Sequence, residues 1–292
     1  MRHRSRLIVT LCLSISIVVV QLIGAFWSGS LALLADSVHV FADACGVGLA
    51  LIAVTVANRP TKARRTFGLF RLEILATAAN GILLLGLSVF ILVEAVDRWM
   101  NPTAIDPAVM IAAAAFGLIA NSVGIVMLRR GSGESLTVRG AYLEVMADAA
   151  GSAGVLVAGV VVSITGWTRS DVIVSVAIAL FIIPRTLMLL RDAFSVLMEN
   201  APHGLDLEEV RDHMCAVPGV AAVHDLHAWT ITSGMVSLSA HVSVEPSPYF
   251  GGNGEAALTA LEECLRDCFE IEHTTFQLES VDHPTEEPLS HP

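Results

Sequence analysis

Six stretches of mainly apolar residues follow one another along the first two thirds of the chain. They cover residues 7–27, 31–57, 74–96, 108–128, 141–165 and 172–190. Each is close to the roughly 20 residues that an α-helix needs to cross a bilayer. The pattern predicts a polytopic α-helical membrane domain with six transmembrane helices over residues 1–198.

The pattern changes after Met198 to the shorter periods of a small water-exposed domain. Apolar residues at helical spacing occur from Leu207 to Val217 and again from Leu258 to Phe269, and alternating residues indicate three strands. Two of the strands form a hairpin that turns at Ser233 and Gly234. We therefore expect an α+β domain of order αββαβ over residues 199–282, followed by a disordered tail over residues 283–292.

Composition and charge support this division. Hydrophobic residues make up 54% of the chain and charged residues only 15%, which favours a membrane protein over a soluble one. Residues 1–198 contain 15 Lys and Arg against 11 Asp and Glu, whereas residues 199–292 contain 2 against 17. The five cysteines show no CxxC spacing, which argues against a disulfide framework or a zinc ribbon. We expect no nucleic-acid partner.

Basic residues also predict the orientation in the membrane. They cluster before the first span, between the second and third spans, and after the fourth, whereas the alternate connections contain only Arg98 and Arg169. By the positive-inside rule, both termini and the acidic domain are cytoplasmic, and the protein lies in the inner or plasma membrane.

Two pairs of ionisable residues interrupt the apolar spans. His39 and Asp43 in the second span are four residues apart, and Glu144 and Asp148 in the fifth repeat that spacing. Residues at this spacing share one helix face. Both pairs straddle the predicted midplane, about 10 to 18 Å from a boundary. Because charges inside a bilayer are costly and commonly functional, we interpret the two pairs as a four-ligand metal site.

The ligand atoms in this site indicate the class of metal. Nitrogen and oxygen ligands without sulfur suit zinc above all, and also cobalt, iron or manganese. The alternative is that these acids form hydrogen bonds between packed helices, or lie in a solvated loop, and bind no metal. Asp36, near the outer end of the second span, lies in a solvated vestibule, at the span boundary or at a functional position.

A second candidate metal site lies in the acidic domain. It is formed by residues on three predicted strands that adjacent pairing can bring together: His224, His241, His273 and Glu279. The alternative is a set of scattered surface histidines. Cys264 and Cys268 can bind metal through their i, i+4 spacing, but a buried helix face is favoured. His227 and Trp229 suit packing or an interface.

Three motifs resemble those of the cation diffusion facilitators. They are the second-span segment 29–43, Phe67-Gly68 with Arg71-Leu72-Glu73, and His224-Asp225-Leu226-His227-Ala228-Trp229. The resemblance implies six-span antiporters of divalent metal and protons with a ferredoxin-like or metallochaperone-like cytosolic domain that forms homodimers. It also implies a transport role for His39, Asp43 and Asp148, and regulatory metal binding by His224, His241, His273 and Glu279.

The chain differs from other members of this family in two ways. Glu144 stands where many zinc-transporting members have histidine. No histidine occurs in residues 58–73 or 129–139, so the His-rich cytosolic loop of many eukaryotic members is missing. The absence of a His-rich loop fits a bacterial-type exporter of zinc, cobalt or cadmium.

The expected activity is proton-coupled efflux of zinc or a similar divalent cation by alternating access. With neutral His39, the three carboxylates give the empty site a formal charge of about −3, so we expect at least one to hold a proton that the metal displaces. The rivals are a membrane-tethered metal sensor and an intramembrane metalloenzyme, although no HExxH motif occurs.

Overall fold

A computed structural model describes residues 2–57, 67–129, 136–244 and 254–281. Six long helices lead the chain: α1 (Arg2–Ser28), α2 (Leu31–Ala57), α3 (Leu72–Met100), α4 (Pro107–Arg129), α5 (Leu136–Thr165) and α6 (Arg169–Leu197). Five of them, all except α2, contain described segments long and apolar enough to cross a membrane. The sixth, α2, has 27 residues and contains the predicted half-site of His39 and Asp43. The prediction of a helical membrane domain is confirmed.

Contacts divide the chain into two units. The first comprises residues 1–59 and 76–191, and the second comprises residues 60–75 and 192–292. The second unit thus includes the first residues of α3 as well as the C-terminal domain.

Helix α2 lies at the centre of the first unit, because two of its faces are covered by different helices. Small and apolar residues such as Ala32 and Leu33 pack against α4 and α5. Another face, with Leu31 and Ala35, packs against Ile91 of α3 and Ala179 of α6. A residue on either of these faces of α2 is therefore shielded from lipid by its neighbours and can contact several helices.

The N-terminal end of α2 is capped by a carboxylate from another helix. Asp171 in the first turn of α6 accepts hydrogen bonds from Ser30 Oγ at 2.5 Å, Leu31 N at 2.8 Å and Ala32 N at 3.1 Å. Asp171 is fully buried. A negative group at a helix N-terminus satisfies backbone N–H groups that have no partner within the helix and interacts favourably with the helix dipole.

We expect Asp171→Ala to destabilise the membrane domain by about 3 kcal/mol, because it leaves buried donors at the start of α2 without their acceptor. Asp106→Ala is the matched comparison, since Asp106 caps α4 at an exposed position through Ala108 N and Val109 N. That change should cost about 1 kcal/mol. Thermal unfolding of the purified protein measures both, and equal midpoints for the two variants would contradict a structural role for the buried cap.

The second unit contains a layer of two helices on a three-stranded sheet. Its elements are α7 (Leu207–Cys215), β1 (Val220–Thr232), β2 (Met235–Val244), α8 (Gly254–Phe269) and β3 (His273–Ser280). The strands lie in the order β1-β2-β3, with β1 and β2 antiparallel and β2 and β3 parallel. Gly234 adopts a φ of 76° in the hairpin turn, a conformation that glycine tolerates without strain. The predicted αββαβ order is confirmed.

One face of the sheet is covered by the helices and the other presents polar residues. Leu238, Ala240 and Val242 of β2 belong to the core together with Met214 of α7 and Leu265 of α8. Because side chains alternate along a strand, His241 and its neighbours Ser239 and Ser243 point to the opposite face.

The segment before α3 is anchored to the C-terminal domain within the second unit. Arg71 forms an ion pair of 2.7 Å with Glu199, and Glu73 accepts hydrogen bonds from Thr232 Oγ1 and Ser233 Oγ at 2.5 and 3.1 Å. The motif singled out in the sequence is thus a structural connection. The proposed domain boundaries remain predictions, and the predicted tail over residues 283–292 lies outside the described residues.

Candidate metal sites

The first candidate site brings together residues of α2 and α5. His39 Nδ1 lies 3.6 Å from Asp43 Oδ2, one helical turn away, and His39 Nε2 lies 3.6 Å from Asp148 Oδ1. One ligand atom from each of the three residues lies within 4.8 Å of the others. The imidazole therefore stands between two carboxylates from different helices.

The polar atoms of this cluster are buried without hydrogen bonds. His39 and Asp148 are 5% and 2% exposed. Among the described residues, both ring nitrogens of His39, Asp43 Oδ2 and Asp148 Oδ1 have no hydrogen-bond partner. Buried polar atoms in this state are costly, and a bound cation is the group that would satisfy all of them together. The observation favours metal binding over the alternative of simple hydrogen bonds between helices.

Glu144 lies beside the cluster but is engaged by another partner. Its Oε1 is 2.5 Å from a guanidinium nitrogen of Arg185 on α6. It also lies close enough to Asp43 for the two carboxylates to interact electrostatically. The structure therefore places the predicted fourth ligand next to the three others, in an ion pair. Arg185 was not singled out from the sequence, where a single arginine near the end of an apolar run has the pattern of an interfacial anchor.

Asp36 is fully buried within a polar network and does not line a vestibule at the outer surface. Its Oδ2 accepts hydrogen bonds from Gln21 of α1 at 2.7 Å and from Ser152 of α5 at 2.9 Å. Its other carboxylate oxygen contacts Gly151, where any larger side chain would collide with it. Asp36 thus joins α1, α2 and α5 three residues before His39.

The second candidate site lies on the open face of the C-terminal sheet. His241 Nδ1 lies 2.9 Å from Glu279 Oε1, and His224 Nε2 lies 3.4 Å from Glu279 Oε2. His224 and His241 are directly opposite each other on β1 and β2, with ring centroids 5.3 Å apart. These three residues also form a group with ligand atoms within 4.8 Å of one another.

A bulge in β1 adds a residue to this cluster that sequence reasoning missed. The register shifts between His224 and His227, and Asp225 has a φ of 47°. The bulge interrupts the alternation of side chains, so Asp225 reaches the face of the histidines. Its carboxylate lies 3.0 Å from His227 Nε2 and 3.9 Å from His241 Nε2. The sequence signal that could have identified it is the acid between two histidines.

His273, in contrast, is not brought to the cluster. It pairs with Ser237 at the start of β3, whereas Glu279 pairs with Ser243. Six residues of extended strand separate the two by about 20 Å. The ring of His273 instead lies edge-on to Phe67 at 5.9 Å. The four-residue cytosolic site is thus reduced to three of its members in this structure, with Asp225 beside them.

The prediction of a buried helix face for the two cysteines of α8 is correct only for Cys264, which packs partly buried against the core, whereas Cys268 is exposed. Burial, together with the adjacent Cys268, raises the pKa of the Cys264 thiol. A thiol held in its neutral form is a poor metal ligand.

Comparison with known proteins covers almost the whole chain. The family profile described as the cation efflux transmembrane domain matches residues 7–198, and the one described as the cation efflux protein cytoplasmic domain matches residues 202–281. The chain is 40% identical over 272 residues to the metal cation efflux system protein CzcD of Cupriavidus metallidurans, covering 93% of this chain and 85% of the relative.

Other relatives have names that specify metals. The chain is 37% identical over 276 residues to the zinc transporter ZitB of Escherichia coli K12, covering 94% of this chain and 87% of the relative. It is 32% identical over 283 residues to the cadmium, cobalt and zinc/H⁺-K⁺ antiporter of Bacillus subtilis 168, covering 96% and 90%.

Among solved structures, the metal-bound C-terminal domain of the CzcD transporter from Cupriavidus metallidurans is 42% identical to this chain. The match covers 26% of this chain and 99% of that domain, with a TM-score of 0.23. The profiles and the full-length relatives identify a multi-pass membrane transporter rather than an enzyme. The chain therefore belongs to the cation efflux family, and its activity is the efflux of divalent metal cations.

Proposed function

We propose that the protein exports zinc, or a similar divalent cation, in exchange for protons. The observation that carries the proposal is the buried cluster of His39, Asp43 and Asp148, whose facing nitrogen and oxygen atoms have no hydrogen-bond partners among the described residues. Metal flux across the membrane of sealed vesicles tests the proposal, because a transporter moves metal across the membrane and a protein that only binds metal does not.

The donor set indicates which cations the site takes. One imidazole and two carboxylates suit zinc, and they also accept cobalt, cadmium, manganese or iron. Glu144 supplies a fourth oxygen ligand if its ion pair with Arg185 opens. The names of the relatives support this range, since they specify zinc, cadmium and cobalt.

Proton coupling follows from charge crowding in the site. Three carboxylates, one neutral imidazole and the adjacent guanidinium of Arg185 give the empty site a formal charge of about −2 in a poorly solvated region, so we expect a proton to be held there until a metal displaces it. Alternating access then carries the metal one way and the proton the other, as α2 and α5 move relative to the remaining helices. The antiporter name of the Bacillus subtilis relative is consistent with this exchange.

We place the termini and the C-terminal domain in the cytoplasm, with metal moving from the cytosol outward. The distribution of Arg and Lys supports this orientation. The match to a cytoplasmic-domain profile and the resemblance to a dimer-forming family support a homodimer in the inner or plasma membrane. In this arrangement, the His224, His241 and Glu279 cluster binds regulatory metal.

The cytosolic site makes a separate prediction. In the isolated domain of residues 202–281, His241→Ala should weaken zinc binding by at least about tenfold, because it removes the nitrogen ligand that lies beside both His224 and Glu279. Isothermal titration calorimetry measures the affinity. His203→Ala is the matched control, since His203 is exposed at the start of the domain and is not part of the cluster. Equal affinities for His241→Ala and His203→Ala would show that the cluster does not bind zinc.

A membrane-tethered metal sensor, the rival weighed from the sequence, would bind metal at the cytosolic cluster without flux. The vesicle experiment therefore also distinguishes the transporter from the sensor.

A further inference from the structure

A fixed positive charge lies directly against the proposed transport site. Arg185 contacts Glu144 at 2.5 Å, and its guanidinium also interacts electrostatically with Asp43 and Asp148. A guanidinium remains charged under all physiological conditions. An arginine within a spanning helix is costly unless it has an anionic partner. The three carboxylates of the site therefore stabilise Arg185 at this position.

The surroundings of Arg185 permit it to move. It directly follows Pro184, which lies inside α6. A proline removes one backbone hydrogen bond of the helix and favours a bend there. The side chains of Arg185 and Glu144 are 48% and 30% exposed, in contrast to the buried His39 and Asp148. The ion pair is therefore at the accessible edge of the cluster, and its two partners belong to different helices.

The charges at this edge put Arg185 and a metal cation in competition. Both are attracted to the Glu144 carboxylate, and a dication next to the guanidinium is repelled by it. Glu144 lies one turn nearer the N-terminal end of α5 than Asp148, which is the cytosolic end in the proposed orientation. A metal that enters from the cytosol therefore meets the ion pair before it reaches His39.

We propose that Arg185 is a positioning residue that holds Glu144 back from the empty site and competes with the metal for that carboxylate. The metal binds first to His39, Asp43 and Asp148, and Glu144 joins only when Arg185 releases it. When Arg185 takes Glu144 back, the metal loses one ligand and dissociates more readily. Arg185 thereby weakens metal binding and speeds release. This inference rests on the proposed transport function of the three-residue cluster.

The test measures zinc affinity of the full-length protein in detergent by competition with a chromogenic chelator, in a His241→Ala background that removes binding at the cytosolic cluster. We expect Arg185→Gln to bind zinc about tenfold more tightly, since it removes both the competing partner and the nearby charge. In vesicles, KM and the maximal rate should both fall. Arg191→Gln, which removes an exposed arginine six residues further along α6, is the matched control and should change neither.

A double-mutant cycle separates competition for Glu144 from a general effect of charge. In a Glu144→Gln background, the gain in affinity from Arg185→Gln should shrink to about twofold. Arg185→Lys keeps the positive charge but loses the planar guanidinium that can form two hydrogen bonds, so it should raise zinc affinity by only about twofold to threefold. This variant replaces Arg185→Gln in the test if Arg185→Gln does not fold. Unchanged or weaker zinc binding in Arg185→Gln or Arg185→Lys, or an equal gain with and without Glu144, overturns the inference.

Failure of the proposed function gives a different result. If the three-residue cluster does not bind zinc, the Asp148→Asn protein binds zinc as tightly as the protein with Asp148, with either arginine or glutamine at position 185. If Asp148→Asn abolishes binding and Arg185→Gln leaves it unchanged, the transport site stands and only the role of Arg185 is wrong.

Discussion

Replacing Asp148 by asparagine should abolish metal transport while leaving the protein folded in the membrane. Asp148 is almost fully buried, and its Oδ1 faces His39 Nε2 at 3.6 Å. Asparagine has the same shape but lacks the negative charge that attracts a divalent cation, and its neutral amide is a weaker ligand than a carboxylate. Substitution of a residue that only hydrogen-bonds to a metal ligand commonly lowers metal affinity or activity by about 10- to 100-fold. Loss of a ligand itself should therefore reduce flux by at least about 100-fold.

Metal uptake into proteoliposomes measures this effect, with yield and thermal unfolding as checks on the fold. Asp97→Asn is the matched control, because Asp97 is an exposed residue near the end of α3 that contacts Asn101. It should transport normally. Retention of metal-driven proton flux in Asp148→Asn would show that Asp148 is not a ligand of the transported metal.

Glu144→His should narrow the range of transported metals toward zinc and change the pH dependence of transport. An imidazole is a softer ligand than a carboxylate and suits zinc better than manganese. The change also takes one carboxylate out of the proton exchange and removes the partner of Arg185. We expect the ratio of zinc to manganese transport to rise by at least about tenfold, which corresponds to about 1.4 kcal/mol of discrimination.

Competition among metals in vesicles at several pH values measures both effects. Glu94→His is a suitable control, since Glu94 pairs with Arg98 on α3 through an i, i+4 contact outside either metal cluster. If metal competition and the pH profile are the same in Glu144→His as in the original protein, Glu144 is not a ligand and the four-residue site is wrong.

The sequence predicted that His39 and Asp43 lie side by side, because the relevant geometry is local. The spacing of His39 and Asp43 determines that they share a helix face, and the apolar surroundings indicate that they are buried. The partner of Glu144 could not be predicted in this way. Arg185 is 41 residues away on another helix, and only the packing of α5 and α6 brings the two side chains together.

The cytosolic cluster shows the same limit. His273 and Glu279 are six residues apart on β3, so the strand itself separates them by about 20 Å. Strand pairing was predicted, but the register that brings Glu279 beside His241 was not. The bulge that brings Asp225 to the metal-binding face involves a positive φ at a non-glycine residue, which no periodicity indicates. Burial of Asp36 likewise depends on contacts with Gln21 and Ser152 from two other helices.

The central claim is that the His39, Asp43 and Asp148 cluster carries a divalent cation across the membrane in exchange for protons. The most direct measurement records zinc entry and lumenal pH at the same time in sealed proteoliposomes, with fluorescent reporters for both ions, under an imposed pH gradient. We predict zinc entry accompanied by proton exit, with both signals lost in Asp148→Asn and retained in Asp97→Asn. Zinc binding without entry, or zinc entry with no movement of protons, would contradict the account.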